Sequence, residues 1–278
     1  KSFCNPLTTN HQISNRMKKI AIIGAGEMGG AFATGLLKGK MFSPSNITVA
    51  NPHEGKLEKF ARMGASITTD NKAAIQDADF VALVVKPEVV KTVIDELKPE
   101  LDYDKQIMIN MAAAITIAQL EEWLRKDDAV PEIFQVLPNT GIAERASMSF
   151  ITPNTRGADH IDKVKIMFDD LGKTMITDER LLLAGTAMAG CGIAYVMRFI
   201  RAASEAGVEL GFRADDAKKI MVQTMYGAVK LLQEDGRHPE AEIDKVTTPG
   251  GTTIKGLNTM EKHGFTNAVI EGIKASLV

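Results

Sequence analysis

Short apolar runs alternate with amphipathic stretches along the first half of the chain. The run 80–85 (FVALVV) has no polar position, which is typical of a strand buried on both faces of a parallel sheet. Stretches such as 29–37 and 89–97 have the spacing of helices that cross over between parallel strands. Six strands are predicted on this basis: 19–23, 47–50, 80–85, 107–111, 133–136 and 147–151.

The second half of the chain has a different pattern. Beyond about residue 178 the strand signal disappears and apolar positions recur at helical spacing. The first helix is expected to break near Gly190 and Gly192. The fold class is therefore α/β: a doubly wound parallel sheet over 17–175, then an all-α domain over 176–278. The helices predicted in that second domain are 179–210, 213–234, 252–263 and 266–277.

Composition and charge narrow the range of partners. The 278 residues are 45% hydrophobic and 24% charged, enough for one large or two ordinary globular domains. A net charge of −2 offers no basic surface for a phosphate backbone, so no nucleic-acid partner is predicted. The two cysteines, Cys4 and Cys191, lie far apart in unlike contexts, and no His or Cys spacing predicts a metal site. This cysteine usage fits a reducing, cytoplasmic location.

Two segments bear on targeting. Residues 181–197 carry no charge, at the lower length limit for a membrane span, but Arg180 and Arg198 bound them closely. We interpret them as a helix buried in protein and predict no membrane partner. Residues 1–16 lack the apolar centre of a signal peptide and are predicted to be a flexible extension, with Met17 resembling a native start.

A glycine motif follows the first predicted strand directly. Gly24, Gly26 and Gly29 form G-x-G-x-x-G at the start of a predicted helix. The first glycine permits a tight turn, the second lets a pyrophosphate approach the backbone, and the third lets the helix lie against the strand. The anion then faces the helix N-terminus. The motif in this context predicts a Rossmann-type dinucleotide site.

The residues after the second predicted strand bear on the choice of cofactor. NAD-specific sites usually carry a carboxylate there for the ribose diol, whereas this chain has Asn51, Pro52 and His53. No carboxylate is present to repel a 2′-phosphate, and His53 or Lys56 can help to bind one. NADPH is therefore predicted as the preferred cofactor, with NADH as the alternative.

Further motifs follow the later strands and helices. Together with the glycine motif, and from Met17 to the end of the chain, they resemble the successive motifs of the pyrroline-5-carboxylate reductase family. The most diagnostic is TTPGGTT at 247–253. The others are VVKP at 84–87, MAAAIT at 111–116, LPNT at 137–140 and GCGIAY at 190–195.

The resemblance implies an oxidoreductase that transfers hydride from NAD(P)H to the cyclic imine of 1-pyrroline-5-carboxylate and forms L-proline, the final step of proline biosynthesis. It also implies that the all-α domain makes a homodimer, which can assemble further. The implied cofactor-binding residues are Gly24, Gly26, Glu27, Met28 and Gly29 at the pyrophosphate, Asn51 at the adenosine ribose, Asn71, Val85, Lys86 and Pro87 along the groove, and Ala112, Ala113 and Ala114 beside the nicotinamide.

The resemblance places the substrate at the TTPGGTT motif. It implies that Thr248 and the backbone of Gly251 and Thr252 bind the substrate carboxylate, that the Thr253 hydroxyl is catalytic and faces the imine nitrogen, and that Glu179 is an acid near the substrate. The chemistry agrees, because an imine that arrives protonated needs only a hydroxyl partner, and a turn entering a helix presents free N–H groups to an anion. The alternative is an ordinary helix–helix turn with a threonine N-cap.

Three positions depart from the usual family pattern and indicate a divergent member. Ile193 stands where proline is common, Ala114 where glycine is common and Gln135 where arginine is common. Lys86 has a catalytic interpretation as a proton donor, although loop positioning is favoured. Cys191, between two glycines, is interpreted as a packing residue.

Two other functions remain open from the sequence. One is a reductase of a β-hydroxy acid or related carbonyl, which would use a lysine donor such as Lys218 or Lys219. The other is a non-catalytic NADP-binding sensor, for which the three departures from the family pattern are the only support.

Overall fold

Residues 19–277 are described by a computed structural model. The predictions for residues 1–16 and for a start at Met17 lie outside the described residues. The chain divides into two units, of which the first ends at Leu182 and the second begins at Leu183. The sequence places this boundary earlier, after residue 175.

The first unit contains one eight-stranded sheet. All six strands predicted from the apolar runs are present, with bounds that agree to within two residues. The strands are β1 (Ile20–Ile23), β2 (Ile47–Ala50), β3 (Ser66–Thr68), β4 (Phe80–Leu83), β5 (Ile107–Asn110), β6 (Glu132–Leu137), β7 (Ser147–Pro153) and β8 (Gly172–Ile176).

The order of the strands is β3-β2-β1-β4-β5-β6-β7-β8. Its first six members have the order of a doubly wound dinucleotide-binding sheet, which confirms the predicted fold class. The sheet is parallel except at one place, where β6 and β7 pair antiparallel. The connection 138–146 between them is shorter than the dozen or more residues that a parallel crossover requires.

Both faces of the sheet are covered. Ile20 and Ile22 of β1 belong to one buried apolar cluster, whereas Ala21 and Ile23 belong to another. This alternation follows from the two-residue period of a strand. The helices of the first unit are α1 (Glu27–Lys38), α2 (Glu58–Arg62), α3 (Asn71–Ile75), α4 (Pro87–Leu97), α5 (Ile117–Leu124) and α6 (Ile161–Asp169).

Helices α1 and α6 cover the first cluster, and α3, α4 and α5 cover the second. Phe32 of α1 stacks on Phe168 of α6 with ring centroids 5.5 Å apart. Burying two such rings stabilises the domain by about 1.5–3 kcal/mol for each side chain.

The second unit is helical over its described residues, as predicted. The helix expected at 179–210 is interrupted by a π-helical segment, Thr186–Cys191, at the glycines where a break is predicted. One helix, between residues 239 and 246, was not predicted. The helices are α7 (Leu182–Gly185, which starts at the end of the first unit), α8 (Gly192–Glu209), α9 (Ala214–Asp235), α10 (Pro239–Val246), α11 (Thr252–Lys262) and α12 (Phe265–Lys274).

Apolar side chains of the second unit are largely exposed. Among the described residues from 183 onward, only Ala187 and Ala217 are buried apolar residues, and Leu210 is 81% exposed. The stretch Glu179–Glu209 is long and apolar enough to cross a membrane by length and composition alone. Within the single chain, the burial predicted for 181–197 is found at Leu182 and Ala187 but not in α8, which has no buried residue. Within these residues, this unit does not complete a core of its own.

Candidate active site

The glycine motif joins β1 to α1 by a turn that leaves no room for side chains at two positions. Gly24 has φ +108°, and a Cβ there would lie 2.4 Å from the Val84 carbonyl oxygen at the end of β4. A Cβ on Gly29 would lie 2.0 Å from the Gly24 carbonyl oxygen. Both glycines are therefore required by the protein's own packing, as the sequence motif predicts for the first and third positions.

Gly26 differs from the other two glycines. A Cβ built at Gly26 meets no atom within 4 Å, and its φ of −71° is open to any residue. Gly26 is also the N-cap of α1, and no side chain caps this end of the helix. The motif thus leaves an unfilled space in front of uncapped N–H groups, which is where a phosphate is stabilised by the helix.

Asn51 fixes the glycine loop to the end of β2. Its Oδ1 accepts a hydrogen bond from the Ala25 N–H at 3.2 Å, and its Nδ2 donates to the His53 carbonyl at 3.2 Å. The side chain is buried, so both bonds replace contacts with water. His53 and Lys56 lie beyond it on the surface and are exposed.

Other predicted cofactor residues lie at the same edge of the sheet. Lys86 is the N-cap of α4 and Pro87 its first residue, so Val85, Lys86 and Pro87 form the turn from β4 into that helix. The Lys86 side chain is exposed, which agrees with loop positioning. Asn71 opens α3, and its Nδ2 donates to Glu96 Oε2 of α4 at 3.0 Å.

The loop after β5 completes this edge. The Met111 N–H donates to the Leu83 carbonyl at 3.0 Å, which brings Ala112, Ala113 and Ala114 beside the end of β4. The turns after β1, β2, β4 and β5 therefore meet at the point where the strand order reverses between β1 and β4. Ligands of open α/β sheets bind at this switch point.

Glu179 lies in the first unit and has a protein partner. Its Oε1 accepts a hydrogen bond from the Ile117 N–H at 2.6 Å, at the first residue of α5. The side chains of Thr116 and Gln119 form a capping box at the same helix end. Glu179 thus stabilises the N-terminus of α5 within the first unit.

The TTPGGTT motif lies in the second unit, which is described by itself. The Gly251 N–H donates to the Thr248 carbonyl at 2.9 Å, and Gly250 has φ +70°. Pro249 and Gly250 thus occupy the central positions of a type II turn. Gly251, and not a threonine, is the N-cap of α11, with no side-chain cap, so the alternative of a threonine N-cap is wrong.

This turn leaves the first N–H groups of α11 without a side-chain cap. A Cβ on Gly251 would lie 2.4 Å from Thr248 Oγ1, so a side chain at 251 would displace that hydroxyl. Thr252 and Thr253 are the first two residues of the helix, and both are exposed. The arrangement offers two threonine hydroxyls and free backbone donors to a carboxylate.

Comparison with known proteins now decides the family. A family model described as "Pyrroline-5-carboxylate reductase dimerisation" matches residues 179–278, and one described as "NADP oxidoreductase coenzyme F420-dependent" matches residues 19–114. A pyrroline-5-carboxylate reductase of Aquifex aeolicus is 36% identical over 256 residues, which cover 92% of this chain and 93% of that protein. This chain belongs to the pyrroline-5-carboxylate reductase family. The resemblance found in the sequence motifs is confirmed.

Two further matches agree with this family. Pyrroline-5-carboxylate reductase 1 of Dictyostelium discoideum is 36% identical over 269 residues; the match covers 92% of this chain but only 48% of that longer protein. The solved structure of a pyrroline-5-carboxylate reductase from Coxiella burnetii superposes with a TM-score of 0.82 at 28% identity. That superposition covers 94% of this chain and 96% of the other, so the likeness includes both units.

Two departures from the reductase pattern now have a structural setting. Ala114 has φ +64°, the left-handed conformation that glycine adopts without strain, which explains why glycine is common there. Gln135 is buried in β6, where its side chain bonds to the loop that contains Ala114. Nothing in the structure explains the departure at Ile193, the second residue of α8.

Replacing Ala114 by glycine is expected to stabilise the folded protein. The left-handed conformation costs a non-glycine residue about 1–2 kcal/mol, which glycine at this position would save. The greater freedom of glycine in the unfolded chain offsets about 0.4–1 kcal/mol of this gain in stability. We expect Ala114→Gly to raise the free energy of unfolding by about 0.5–1 kcal/mol, measured by urea denaturation. The control is Ala113→Gly, which has no positive φ to relieve and is expected to destabilise. A lower free energy of unfolding in Ala114→Gly would show that the backbone of Ala114 is not strained in the wild type.

The motifs do not predict one pair of buried polar residues beside the loop after β5. Asn110, the last residue of β5, pairs in register with Gln135 of β6, and both are buried. The family motifs mark Gln135 only as a departure, and they do not include Asn110. The signal available in the sequence was a polar residue inside each of two otherwise apolar runs, at the carboxyl end of one of them.

Proposed function

We propose that this chain is a pyrroline-5-carboxylate reductase, which reduces 1-pyrroline-5-carboxylate to L-proline with hydride from NAD(P)H. The observation that carries the proposal is the co-occurrence of a dinucleotide cradle at Gly26 with an uncapped helix start at Gly251 in a member of this family. Proline formation is the final step of proline biosynthesis, and a cytoplasmic location is part of the proposal.

The residues at the sheet edge fit a nicotinamide dinucleotide. In this proposal Gly24, Gly26, Glu27, Met28 and Gly29 hold the pyrophosphate, and the bound nicotinamide supplies the hydride. Asn51 contributes by fixing the loop through the Ala25 N–H, in addition to any contact with the ribose. Ala112, Ala113 and Ala114 line the nicotinamide end, and Asn71, Val85, Lys86 and Pro87 line the groove between the two ends.

NADPH is proposed as the preferred cofactor. The side chain after β2 is the neutral amide of Asn51, and the exposed His53 and Lys56 are available to a 2′-phosphate. A single charged hydrogen bond contributes about 1.5–3 kcal/mol, which corresponds to roughly tenfold or more in affinity.

The substrate carboxylate is proposed to bind at the start of α11. Thr248 and the backbone N–H groups of Gly251 and Thr252 receive the carboxylate, with the helix N-terminus favouring the negative charge. The Thr253 hydroxyl accepts the N–H of the protonated imine and orients the ring. The new amine keeps this proton, so no strong general acid is needed. Glu179 takes part by holding the start of α5.

Residues 176–278 are proposed to form a substrate-binding and dimerisation domain. A second copy of this chain completes this helical domain. The dimerisation family model matches residues 179–278, and the apolar side chains exposed there need a cover. Cover by a second copy accounts for the apolar stretch Glu179–Glu209 without a membrane.

The proposed function is tested by steady-state turnover with 1-pyrroline-5-carboxylate. We expect oxidation of NADPH followed at 340 nm, with kcat/KM about tenfold higher for NADPH than for NADH because of the 2′-phosphate contacts. Tight NADPH binding without turnover would favour the sensor. Turnover of a β-hydroxy acid instead would favour the other rival, although Lys218 and Lys219 lie in exposed ion pairs with Asp215 and Asp216.

A further inference from the structure

Two buried amide side chains hold the backbone of the loop after β5. The Asn110 Nδ2 donates to the Gln135 Oε1 at 2.7 Å and to the Ala112 carbonyl at 3.0 Å. The Gln135 Nε2 donates to the same carbonyl at 2.7 Å. The Asn110 Oδ1 in turn accepts the Ala112 N–H at 3.4 Å. Both amides are only 1% exposed.

This closed set of bonds leaves the Ala112 carbonyl with two donors, one for each of its lone pairs. A carbonyl bonded in this way cannot turn without leaving buried N–H groups unpaired, at a cost of about 1–3 kcal/mol for each group. Asn110 and Gln135 are partners in register on adjacent strands, so the sheet itself sets their spacing. The position of Ala112 is therefore fixed by the rigid part of the fold.

The loop needs such a restraint. Ala114 is held at φ +64°, and an alanine released from its neighbours would leave that conformation for a lower-energy one. Ala112 lies two residues before it on the same short connection from β5 to α5. The two donors on the Ala112 carbonyl oppose this relaxation.

We infer that Asn110 and Gln135 are positioning residues of the reductase, which set the loop 112–114 against the nicotinamide through the Ala112 carbonyl. This inference rests on the proposed function, because the loop is placed beside the nicotinamide there. It assigns a role to Gln135, a neutral residue at a position where the family commonly has arginine. The role requires hydrogen-bond donors and no charge.

The test compares two buried glutamines: Gln135 in β6, beside the carboxyl end of β5, and Gln106, just before the amino end of β5. Gln135→Met removes a donor to the Ala112 carbonyl and keeps the length of the side chain. Gln106→Met is the matched control: Gln106 is also buried and donates to the Ile75 and Ala78 carbonyls, but it precedes β5 at the other edge of the sheet. We expect both variants to lose similar amounts of thermal stability.

Only Gln135→Met is expected to lose catalysis. A shift of the nicotinamide of a fraction of an ångström is expected to lower kcat by about tenfold, since a misplacement of 1 Å can cost about 100-fold. The Kd for NADPH is expected to change by less than about twofold, because the pyrophosphate contacts at Gly26 are untouched. An equal fall of kcat in Gln106→Met, or an unchanged kcat in Gln135→Met, would overturn the inference.

A second measurement separates this inference from the proposed function. The fluorescence of bound NADPH comes from its dihydronicotinamide ring and needs no substrate. We expect the emission of bound NADPH to change in Gln135→Met and to stay as in the wild type in Gln106→Met. Absence of turnover in the wild type would refute the proposed function but not the positioning role. Identical emission from the wild type, Gln135→Met and Gln106→Met would refute the positioning role.

Discussion

Gly26→Val is expected to weaken NADPH binding by about 100-fold, equivalent to about 2.7 kcal/mol, while the protein stays folded. We expect no loss of folding, because a Cβ at Gly26 meets no protein atom within 4 Å and φ is −71° there. The added methyl groups would instead occupy the space in front of the uncapped end of α1, where the pyrophosphate is proposed to bind. Fluorescence titration with NADPH gives the Kd, and thermal denaturation without cofactor reports the fold.

The contrasting variant is Gly29→Ala. Its Cβ would lie 2.0 Å from the Gly24 carbonyl oxygen, so helix α1 would have to move away from β1. We expect this smaller substitution to lower the thermal stability of the apoprotein as well as the affinity. A Gly26→Val protein with the wild-type Kd for NADPH would refute the assignment of the cradle, whatever the behaviour of Gly29→Ala.

The strands that the sequence predicted are those that the sheet buries on both sides. β1, β4 and β5 are buried at every position, and their residues are apolar except for Asn110 at the end of β5. The two strands that were missed, β3 and β8, are the two edges of the sheet. Neither strand has a buried residue and β3 is only three residues long, so neither carries an apolar run that distinguishes it from a loop.

The direction of a strand, and the partner that covers an apolar helix, are harder to predict from the sequence. Residues 147–151 were correctly predicted as a strand, but the pattern of one strand does not state how it runs beside its neighbour. Similarly, the uncharged stretch 181–197 looks like a buried helix because its apolar surface needs a cover. In the single chain α8 has no buried residue, so most of this apolar surface lacks a cover among the described residues.

The cofactor site was more predictable than the residues that support it. Gly24 and Gly29 follow from a short motif, although only Gly29 is forced by a neighbour in sequence, the Gly24 carbonyl, whereas Gly24 is forced by the Val84 carbonyl at the end of β4. Asn51 was identified through its position, but its bond to the Ala25 N–H joins residues 26 positions apart. The Asn110 and Gln135 pair depends on strand register, which a single sequence does not give.

Thr253→Val is expected to lower kcat by at least about 100-fold, the lower end of what a positioned proton-transfer or hydrogen-bonding partner contributes. Valine has the shape of threonine and lacks only the hydroxyl that is proposed to accept the imine N–H. No hydrogen bond of this hydroxyl occurs within the part of the chain that the structure describes, and the side chain is exposed at the start of α11. The fold is therefore expected to be unaffected, and the Kd for NADPH to stay within about twofold.

The same helix supplies the matched control for that experiment. The Thr259 hydroxyl donates to the Lys255 carbonyl one turn earlier at 2.8 Å, so Thr259→Val makes an identical chemical change to a hydroxyl that serves only the helix. We expect Thr259→Val to retain wild-type kcat. Steady-state kinetics of both variants with 1-pyrroline-5-carboxylate distinguish the roles: a wild-type kcat in Thr253→Val would exclude its hydroxyl from the reaction. A fall in kcat/KM with unchanged kcat would instead make Thr253 a residue of substrate binding, because interactions made equally in the ground and transition states raise KM alone when they are lost.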